Sequence, residues 1–251
     1  MKIVVIGGTG LIGSNLVKKL GQSGHTAIAA SPSSGVNTIT GEGLPEILKG
    51  ADVVVDVSNS PSFEDEAVWN FFRTSTSRLL EAEAHAGVKH HVAMSIVGAD
   101  RLPDSGYLRA KVAQEELIRA SSMHYSILRS TQFFEFAGGI ANAATVGDEV
   151  HISPALFQPV ASEEVVEVLA DIVTGNPLNG IAEVAGPVRM PMSEFIRYYL
   201  DATKDSRKLI VDEHAKYFGT ELNDDSLVSD ASPRLGKIKY EDWFKQQLVK
   251  A

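Results

Sequence analysis

Residues 3–13 constrain the fold of this chain more than any other stretch. Four apolar residues, Ile-Val-Val-Ile, run directly into Gly-Gly-Thr-Gly-Leu-Ile-Gly. A short buried strand that ends in glycines and continues into an amphipathic helix is typical of the first unit of a dinucleotide-binding sheet. Glycine makes the sharp turn, lets the backbone approach a pyrophosphate, and lets the helix pack closely on the strand.

The glycine spacing fits this interpretation in two registers, G-x-G-x-x-G from residue 8 and G-x-x-G-x-x-G from residue 7. The helix predicted from Leu11 to Leu20 would present free N–H groups and a partial positive charge at its N-terminus, where phosphate binds. We therefore expect the cofactor to contact this turn through Gly7, Thr9, Gly10, Leu11, Ile12 and Gly13.

Strand-like and helical patterns alternate along the first half of the chain. We predict strands over residues 26–30, 53–57, 92–97 and 125–128, with helices over 67–86 and 108–121. This alternation indicates an α/β fold with a doubly wound parallel sheet of the Rossmann type. Residues 1–135 would form the dinucleotide-binding domain, and residues 136–251 a smaller α+β substrate-side subdomain packed on it as one compact unit.

The second half carries weaker signals. We predict helices over 163–174, with Ser162 as its N-cap, and over 192–203 and 240–248. Short strands are expected over 182–185 and 208–211. The polar segment 220–234 is expected to be a loop or a mobile flap.

Composition excludes several functional classes. The 251 residues carry a formal net charge of −9, which disfavours nucleic acid and anionic membrane as partners. There is no cysteine and no apolar run of about 20 residues, so we expect no thiol chemistry, no metal site and no membrane span. With the first strand at residue 3 leaving no room for a signal peptide, we expect a cytoplasmic protein with a small-molecule substrate. A homodimer is compatible with the sequence.

Tyr107 and Lys111 form the second informative pattern. A four-residue separation places both side chains on one face of a helix. We expect the lysine charge to lower the pKa of the phenol, so that the tyrosine can exchange a proton with a carbonyl or an alcohol. Ser95, at the end of the preceding strand, would hold the substrate oxygen.

The glycines, Ser95 and the Tyr107-x-x-x-Lys111 pair occur in the order found in short-chain dehydrogenases/reductases, which the chain resembles over about residues 1–135. Residues 88–98 and 125–136 resemble the atypical, NmrA-like branch. The resemblance implies Ser95, Tyr107 and Lys111 as catalytic residues, with Lys111 also holding the nicotinamide ribose. An asparagine common in the preceding helix of that family is replaced by Phe72 or Thr74, with Asn70 a turn away.

The cofactor choice depends on the end of the second strand. Residues 29–34 read Ala-Ala-Ser-Pro-Ser-Ser, without the acidic residue that usually binds the ribose of NAD, and without an arginine. The sequence favours NADP over NAD, with its 2′-phosphate on Ser31, Ser33 and Ser34. By resemblance, the cofactor would also contact Val57, Ser58, Asn59, Lys111 and Thr131.

Three other groups of residues are weaker candidates. Phe133, Phe134 and Phe136 would line a substrate pocket or, with more weight, belong to the core. His90-His91 is expected at a surface turn and not at a metal site. Glu115-Glu116 is expected to face solvent.

We therefore expect an NAD(P)-dependent oxidoreductase that uses NADPH to reduce a small carbonyl or quinone. Two alternatives remain open. One is an NmrA-like redox sensor that binds NAD(P) without turnover, and the other is an epimerase or dehydratase that retains NAD. The loop between Ser95 and Tyr107 is short for a sugar-nucleotide epimerase.

Overall fold

A seven-stranded parallel sheet organises the protein. The computed structural model describes residues 1–230 and 232–250. The sheet has the order β12-β9-β5-β4-β3-β1-β2. Its strands are β1 (Lys2–Ile6), β2 (Thr26–Ala30), β3 (Val53–Asp56), β4 (His90–Ile96), β5 (Tyr125–Ser130), β9 (Gly180–Ala185) and β12 (Arg234–Leu235). The predicted Rossmann-type α/β fold is thus confirmed.

Helices cover both faces of the sheet, as the continuous apolar strands require. On one face, α1 (Leu11–Gln22) packs beside α6 (Ser162–Thr174) over Ile3 and Val5 of β1. On the other face, the short α2 (Leu44–Leu48) packs with α3 (Asp65–Ala86), and α3 packs against α4 (Gly106–Ala120). Strand β1 is flanked by β2 and β3, so the strand order reverses between β1 and β3. Ligands bind at such switch points, beyond the carboxyl ends of the strands.

The remaining elements build a second apolar cluster beside these strand ends. Its aromatic centre comprises Phe134, Phe157, Phe195 and Tyr240. The elements are α5 (Ala137–Ala143), β6 (Thr145–Val146), β7 (Glu149–Ile152), β8 (Leu156–Phe157), β10 (Met190–Pro191), α7 (Met192–Thr203), β11 (Lys208–Val211) and α8 (Tyr240–Lys250). Because β9 and β12 extend the main sheet, the segment 136–251 contributes to both parts of the molecule. Its division at residue 135 stays a prediction.

Several local expectations were wrong. Ala161, and not Ser162, is the N-cap of α6, because the Ser162 hydroxyl donates instead to Glu135 Oε1 at 2.5 Å. Residues 220–230 lie outside the helices and strands, as expected for a loop, and they pack against the rest of the protein, whereas Arg234 begins β12. Leu227 is fully buried in this segment, and Arg101 donates to the carbonyl oxygen of Val228 at 2.9 Å.

Among the helices of residues 1–230 and 232–250, none combines the length and apolar character needed to cross a membrane.

His90 and His91 lie inside β4 and not at a surface turn. His91 is fully buried, and its Nδ1 faces both carboxylate oxygens of Glu83 at 2.9 and 3.0 Å. Burial opposes the protonated form of His91, but the Glu83 carboxylate outweighs it and raises the pKa of the imidazole. His90 Nε2 meets Ser126 Oγ at 2.8 Å, and burial lowers the pKa of His90 to about 4. No cluster of metal ligands occurs in the described part of the chain.

A buried ion pair ties β5 to α4 beneath the strand ends. Arg129 donates through Nε and Nη2 to the two carboxylate oxygens of Glu115, at 2.9 and 2.7 Å. Its Nη1 donates to Asp100, in the turn after β4, at 2.8 Å. The expectation that Glu115 faces solvent was wrong, because this side chain is buried against Arg129, whereas Glu116 is exposed as expected.

Replacing Arg129 with Met should destabilise the protein by about 3–5 kcal/mol, because it leaves the Glu115 carboxylate buried without a counter-charge. Urea unfolding followed by circular dichroism measures this change. A matched control is Lys89→Met, which removes an exposed ion pair with Asp52 and should cost less than about 1 kcal/mol. Equal effects of the two substitutions would contradict a structural role for the Arg129 pair.

Candidate functional site

The turn after β1 packs so closely that three of its glycines are required by the fold. Gly7 has φ +78°, and a Cβ there would lie 2.8 Å from the backbone that follows β3. A Cβ on Gly8 would lie 2.6 Å from the backbone of β2, and one on Gly13 would lie 2.3 Å from the Gly7 oxygen. At Gly10 the nearest atom would be 3.4 Å away, an ordinary contact. The protein alone therefore does not explain why residue 10 lacks a side chain.

Free amides follow this turn. Ser14 donates to the Gly10 oxygen at 3.0 Å and makes the first hydrogen bond of α1. The amides of Leu11, Ile12 and Gly13 precede it, at the positive end of the helix dipole. Thr9 and Gly10 are exposed beside them. This geometry suits a phosphate group.

Three buried polar atoms at the ends of β4 and β5 have no protein partner. They are Ser95 Oγ, Thr131 Oγ1 and Gln132 Oε1. An unsatisfied buried polar atom costs about 1–3 kcal/mol, so a group of them at one strand edge indicates a ligand. Together with the open position at Gly10 and the free amides, these residues fit a dinucleotide that runs from the glycine turn towards Ser95.

The serines after β2 form a compact turn. The Ser34 hydroxyl accepts from the Ser31 amide and donates to the Ser31 oxygen, both at 2.9 Å. Ser31 Oγ and Ser33 Oγ lie 2.8 Å apart, with Ser31 buried and Ser33 exposed. The Ser34 hydroxyl is thus engaged inside the turn, whereas the hydroxyl of the exposed Ser33 contacts that of Ser31. Binding at these serines stays a prediction.

The loop after β3 reaches the tyrosine of the motif. Val57 donates to the Ile6 oxygen, and the Ser58 amide and hydroxyl donate to Asp56 Oδ1 at 3.0 and 2.6 Å. Asn59 Oδ1 accepts a hydrogen bond from the Tyr107 hydroxyl at 3.1 Å. The sequence assigned Asn59 to the cofactor and gave no sign of this contact, because the two residues are 48 positions apart.

Tyr107 stands at the start of α4 among aromatic rings. Its ring centroid lies 5.6 Å from that of Phe63 and 5.9 Å from that of Phe72. Burial raises the pKa of the Tyr107 phenol to about 12, and the hydrogen bond to Asn59 offsets only part of this. The expectation that Lys111 lowers this pKa was wrong, because the Lys111 ammonium is held by other groups.

Lys111 is held in a cage of three groups. Its ammonium donates to the Met94 oxygen at 2.9 Å and to Gln114 Oε1, and lies 4.4 Å from the centroid of the Phe72 ring. Gln114 Nε2 in turn donates to the buried Asp56 carboxylate at 3.0 Å. Burial lowers the pKa of Lys111 to about 8, against the attraction of Asp56.

Sequence reasoning missed Gln114 and Asp56. Gln114 stands three residues after Lys111, so helical spacing alone could have placed the two side chains together. Asp56, by contrast, interrupts an apolar strand 58 positions before Gln114, and only the folded sheet brings the two together.

The three phenylalanines after β5 divide between core and surface. Phe133 and Phe134 are buried, which confirms the core interpretation for these two. Phe136 is 48% exposed and packs on Phe133 with 5.2 Å between ring centroids. It is therefore the only one of the three that presents its ring outward.

Comparison with known proteins agrees with this geometry. Residues 7–176 match the family described as NAD(P)H-binding. The divinyl chlorophyllide a 8-vinyl-reductase of Cucumis sativus is 27% identical over 223 residues, 74% of this chain and 52% of that protein. The photosystem II assembly factor Ycf39 of Synechocystis sp. is 25% identical over 149 residues, 54% of this chain and 46% of that protein. The chain thus spans about half the length of these relatives.

Solved structures share the fold. A dTDP-4-dehydrorhamnose reductase of Clostridium acetobutylicum superposes with a TM-score of 0.73 at 15% identity, over 100% of both chains. An NADPH-dependent quinone oxidoreductase of Escherichia coli gives 0.62 at 15% identity, over 84% of this chain and 78% of the other. Because the family match covers more than half of the chain and begins at the glycine turn, the protein belongs to the NAD(P)H-binding family.

Proposed function

We propose that this protein uses NADPH to reduce a small carbonyl or quinone at a Ser95-Tyr107-Lys111 site of the atypical, NmrA-like short-chain type. The observation that carries the proposal is the unpartnered Ser95 hydroxyl, buried at the same strand edge as the glycine turn. A buried hydroxyl without a partner is suited to hold the oxygen of a substrate.

The side chains can divide the work of carbonyl reduction among them. When bound, the dinucleotide supplies a hydride, which carries two electrons to the substrate. Tyr107 then gives its proton to the substrate oxygen and regains one from solvent, so that substrate, NADPH and one proton yield the alcohol or hydroquinone and NADP⁺. Ser95 would orient the oxygen by a hydrogen bond.

The charge states at neutral pH favour reduction. With a pKa near 12, Tyr107 is a neutral phenol at pH 7, which is the form that can donate a proton. With a pKa near 8, Lys111 is mostly protonated at pH 7 and would hold the nicotinamide ribose. Substrate oxygen would replace Asn59 as the partner of the tyrosine hydroxyl.

The preference for NADP rests on the turn after β2. The exposed Ser33 hydroxyl can meet a 2′-phosphate, and residues 31–35 contain no carboxylate that would repel one.

A second function is favoured by a specific contact. The hydrogen bond from Tyr107 to Asn59 satisfies the phenol without a substrate, which suits a regulator that binds NAD(P) and does not turn over. The similarity to a protein named as an assembly factor supports this alternative. The third alternative, an epimerase or dehydratase with retained NAD, is supported only by fold similarity to such enzymes.

Replacing Tyr107 with Phe should lower kcat for carbonyl or quinone reduction by at least ~100-fold, because the proton donor is lost. NADPH consumption measures the rate, and the Kd for NADPH should stay within about two-fold. A matched control is Tyr125→Phe, which should leave turnover unchanged because Tyr125 lies at the amino end of β5, opposite the carboxyl ends that form the site. Unchanged kcat in the Tyr107 variant would contradict the assignment, and tight NADPH binding without turnover in the wild type would favour the regulator.

Replacing Ser33 with Asp should weaken NADPH binding by about 10-fold or more while sparing NADH, because the carboxylate repels the 2′-phosphate. Titration of both cofactors by calorimetry gives the two Kd values. Ser206→Asp adds the same charge at an exposed position outside the strand-end crevice and serves as the control. Tighter binding of NADH than NADPH by the wild type would overturn the preference for NADP.

A further inference from the structure

A strained aromatic residue lies in the segment between β11 and β12. Tyr217 and Thr220 exchange two backbone hydrogen bonds, at 2.8 and 3.2 Å. The two residues between them, Phe218 and Gly219, have φ of +45° and +91°. A tight turn with two positive φ values normally carries asparagine and glycine, and phenylalanine is a rare occupant of its first central position.

Packing does not explain why phenylalanine stands there. The side chain of Phe218 is 52% exposed, and its ring meets Tyr217 edge-on with 4.7 Å between centroids. Strained backbone positions cluster at functional sites, because the surrounding structure must hold them against their own preference. A half-exposed ring in such a position indicates a ligand contact.

A cavity of about 300 Å³ lies directly behind the turn. Its walls come from α5, the end of β7, the start of α7 and the loop 215–219, and are mostly apolar, with Ile140, Ile152 and Met192 among them. This volume is at the small end of ligand pockets, which range over about 300–1,000 Å³. It suits a single compact ring system.

The turn also lies near the proposed proton donor. Tyr217 packs into the same apolar cluster as Tyr107. The pKa of Tyr217 is raised by burial and, to a lesser degree, by the neighbouring Tyr107 hydroxyl. Tyr107 also contacts Phe63, whose side chain is 62% exposed. Tyr107 therefore shares its apolar cluster with the half-buried Tyr217, the residue just before Phe218 in the chain.

Two arginines outside the cavity wall are already paired. Arg207 binds the carboxylate of Asp205, and Arg101 binds that of Asp230 at 2.6 Å. His151, on the cavity wall, has its Nε2 3.3 Å from Glu149. Lys216 also lines the cavity. Such a wall favours an apolar ring over the diphosphate of a sugar nucleotide, which would need several free cations.

We propose that the substrate is a flat, aromatic ring-bearing carbonyl compound, and that Phe218 determines this specificity by stacking on the ring beside Tyr107. The inference rests on the proposed function. Offset stacking of the two rings would supply binding that an aliphatic carbonyl cannot obtain. The unfavourable backbone conformation of residue 218 is then kept because the Phe218 ring is needed to bind the substrate.

The substitution Phe218→Asn separates this role from a structural one. Asparagine suits the left-handed backbone, so the Tm should rise by about 2–4 °C. The KM for 1,4-naphthoquinone should rise about 10-fold, and its Kd in saturating NADP⁺, measured by calorimetry, should rise in parallel. The KM for 2,3-butanedione, which has no ring, should change less than about two-fold.

Leu178→Asn provides the control, because Leu178 is a similarly exposed apolar residue. It lies just before the amino end of β9, opposite the carboxyl ends of the strands. It should change neither KM. Unchanged naphthoquinone binding in Phe218→Asn, or equal losses for both substrates with a lower Tm, would overturn the proposal. If the wild type binds naphthoquinone but never consumes NADPH, the proposed reduction fails while the Kd comparison still decides the role of Phe218. Absence of naphthoquinone binding to the wild type would also overturn it.

Discussion

The close backbone packing of the turn after β1 is the constraint on which the site depends. Gly7, Gly8 and Gly13 let this turn lie against the ends of β2 and β3 and against the start of α1, at distances that no Cβ would allow. That packing fixes the N-terminus of α1 at the point where the strand order reverses. The free amides of residues 11–13 therefore face the crevice beyond the carboxyl ends of the strands. Gly10, which the fold leaves open, lies where a phosphate would approach.

A layer of buried polar groups then positions the chemistry on α4. The Arg129–Glu115 pair joins this helix to β5, and the Lys111–Gln114–Asp56 chain joins it to β3. Both connections lie under the apolar contacts of the helix and specify its place along the sheet. Tyr107, at the first turn of α4, is held by the same connections. Its high pKa follows from burial among Phe63, Phe72 and the second apolar cluster, so its hydroxyl is neutral at pH 7.

The sequence predicted the elements whose signal is local. The apolar run of β1, the helical spacing in α3 and α4, and the alternation of strands and helices along the chain could be predicted because each signal lies within one element. The carboxyl ends of parallel strands lie at the same side of a sheet, and this rule predicted which loops lie together. Glu115 and His91 were misjudged for the opposite reason. Their burial depends on partners 14 and 8 residues away across helix and sheet, which hydrophobic patterning does not reveal.

The contacts that set the state of Tyr107 are also long-range. Asn59 reaches the phenol from another strand end, and Lys111 turns towards Gln114 and the Met94 carbonyl. Motif spacing brought Tyr107 and Lys111 onto one helix face but could not specify these partners. The sequence also did not indicate the turn at Phe218. The first central position of this turn has a positive φ and holds phenylalanine, whereas asparagine, aspartate or glycine is typical there.

The central claim, that the turn leaves Gly10 open for a phosphate while its other glycines serve the fold, is tested most directly by paired alanine substitutions. Gly10→Ala and Gly13→Ala are compared by thermal unfolding and by calorimetric titration with NADPH. We predict that Gly10→Ala keeps the wild-type Tm and weakens NADPH binding about 10-fold or more, whereas Gly13→Ala lowers the Tm by several degrees or prevents folding. Wild-type NADPH affinity in a folded Gly10→Ala variant would contradict the account.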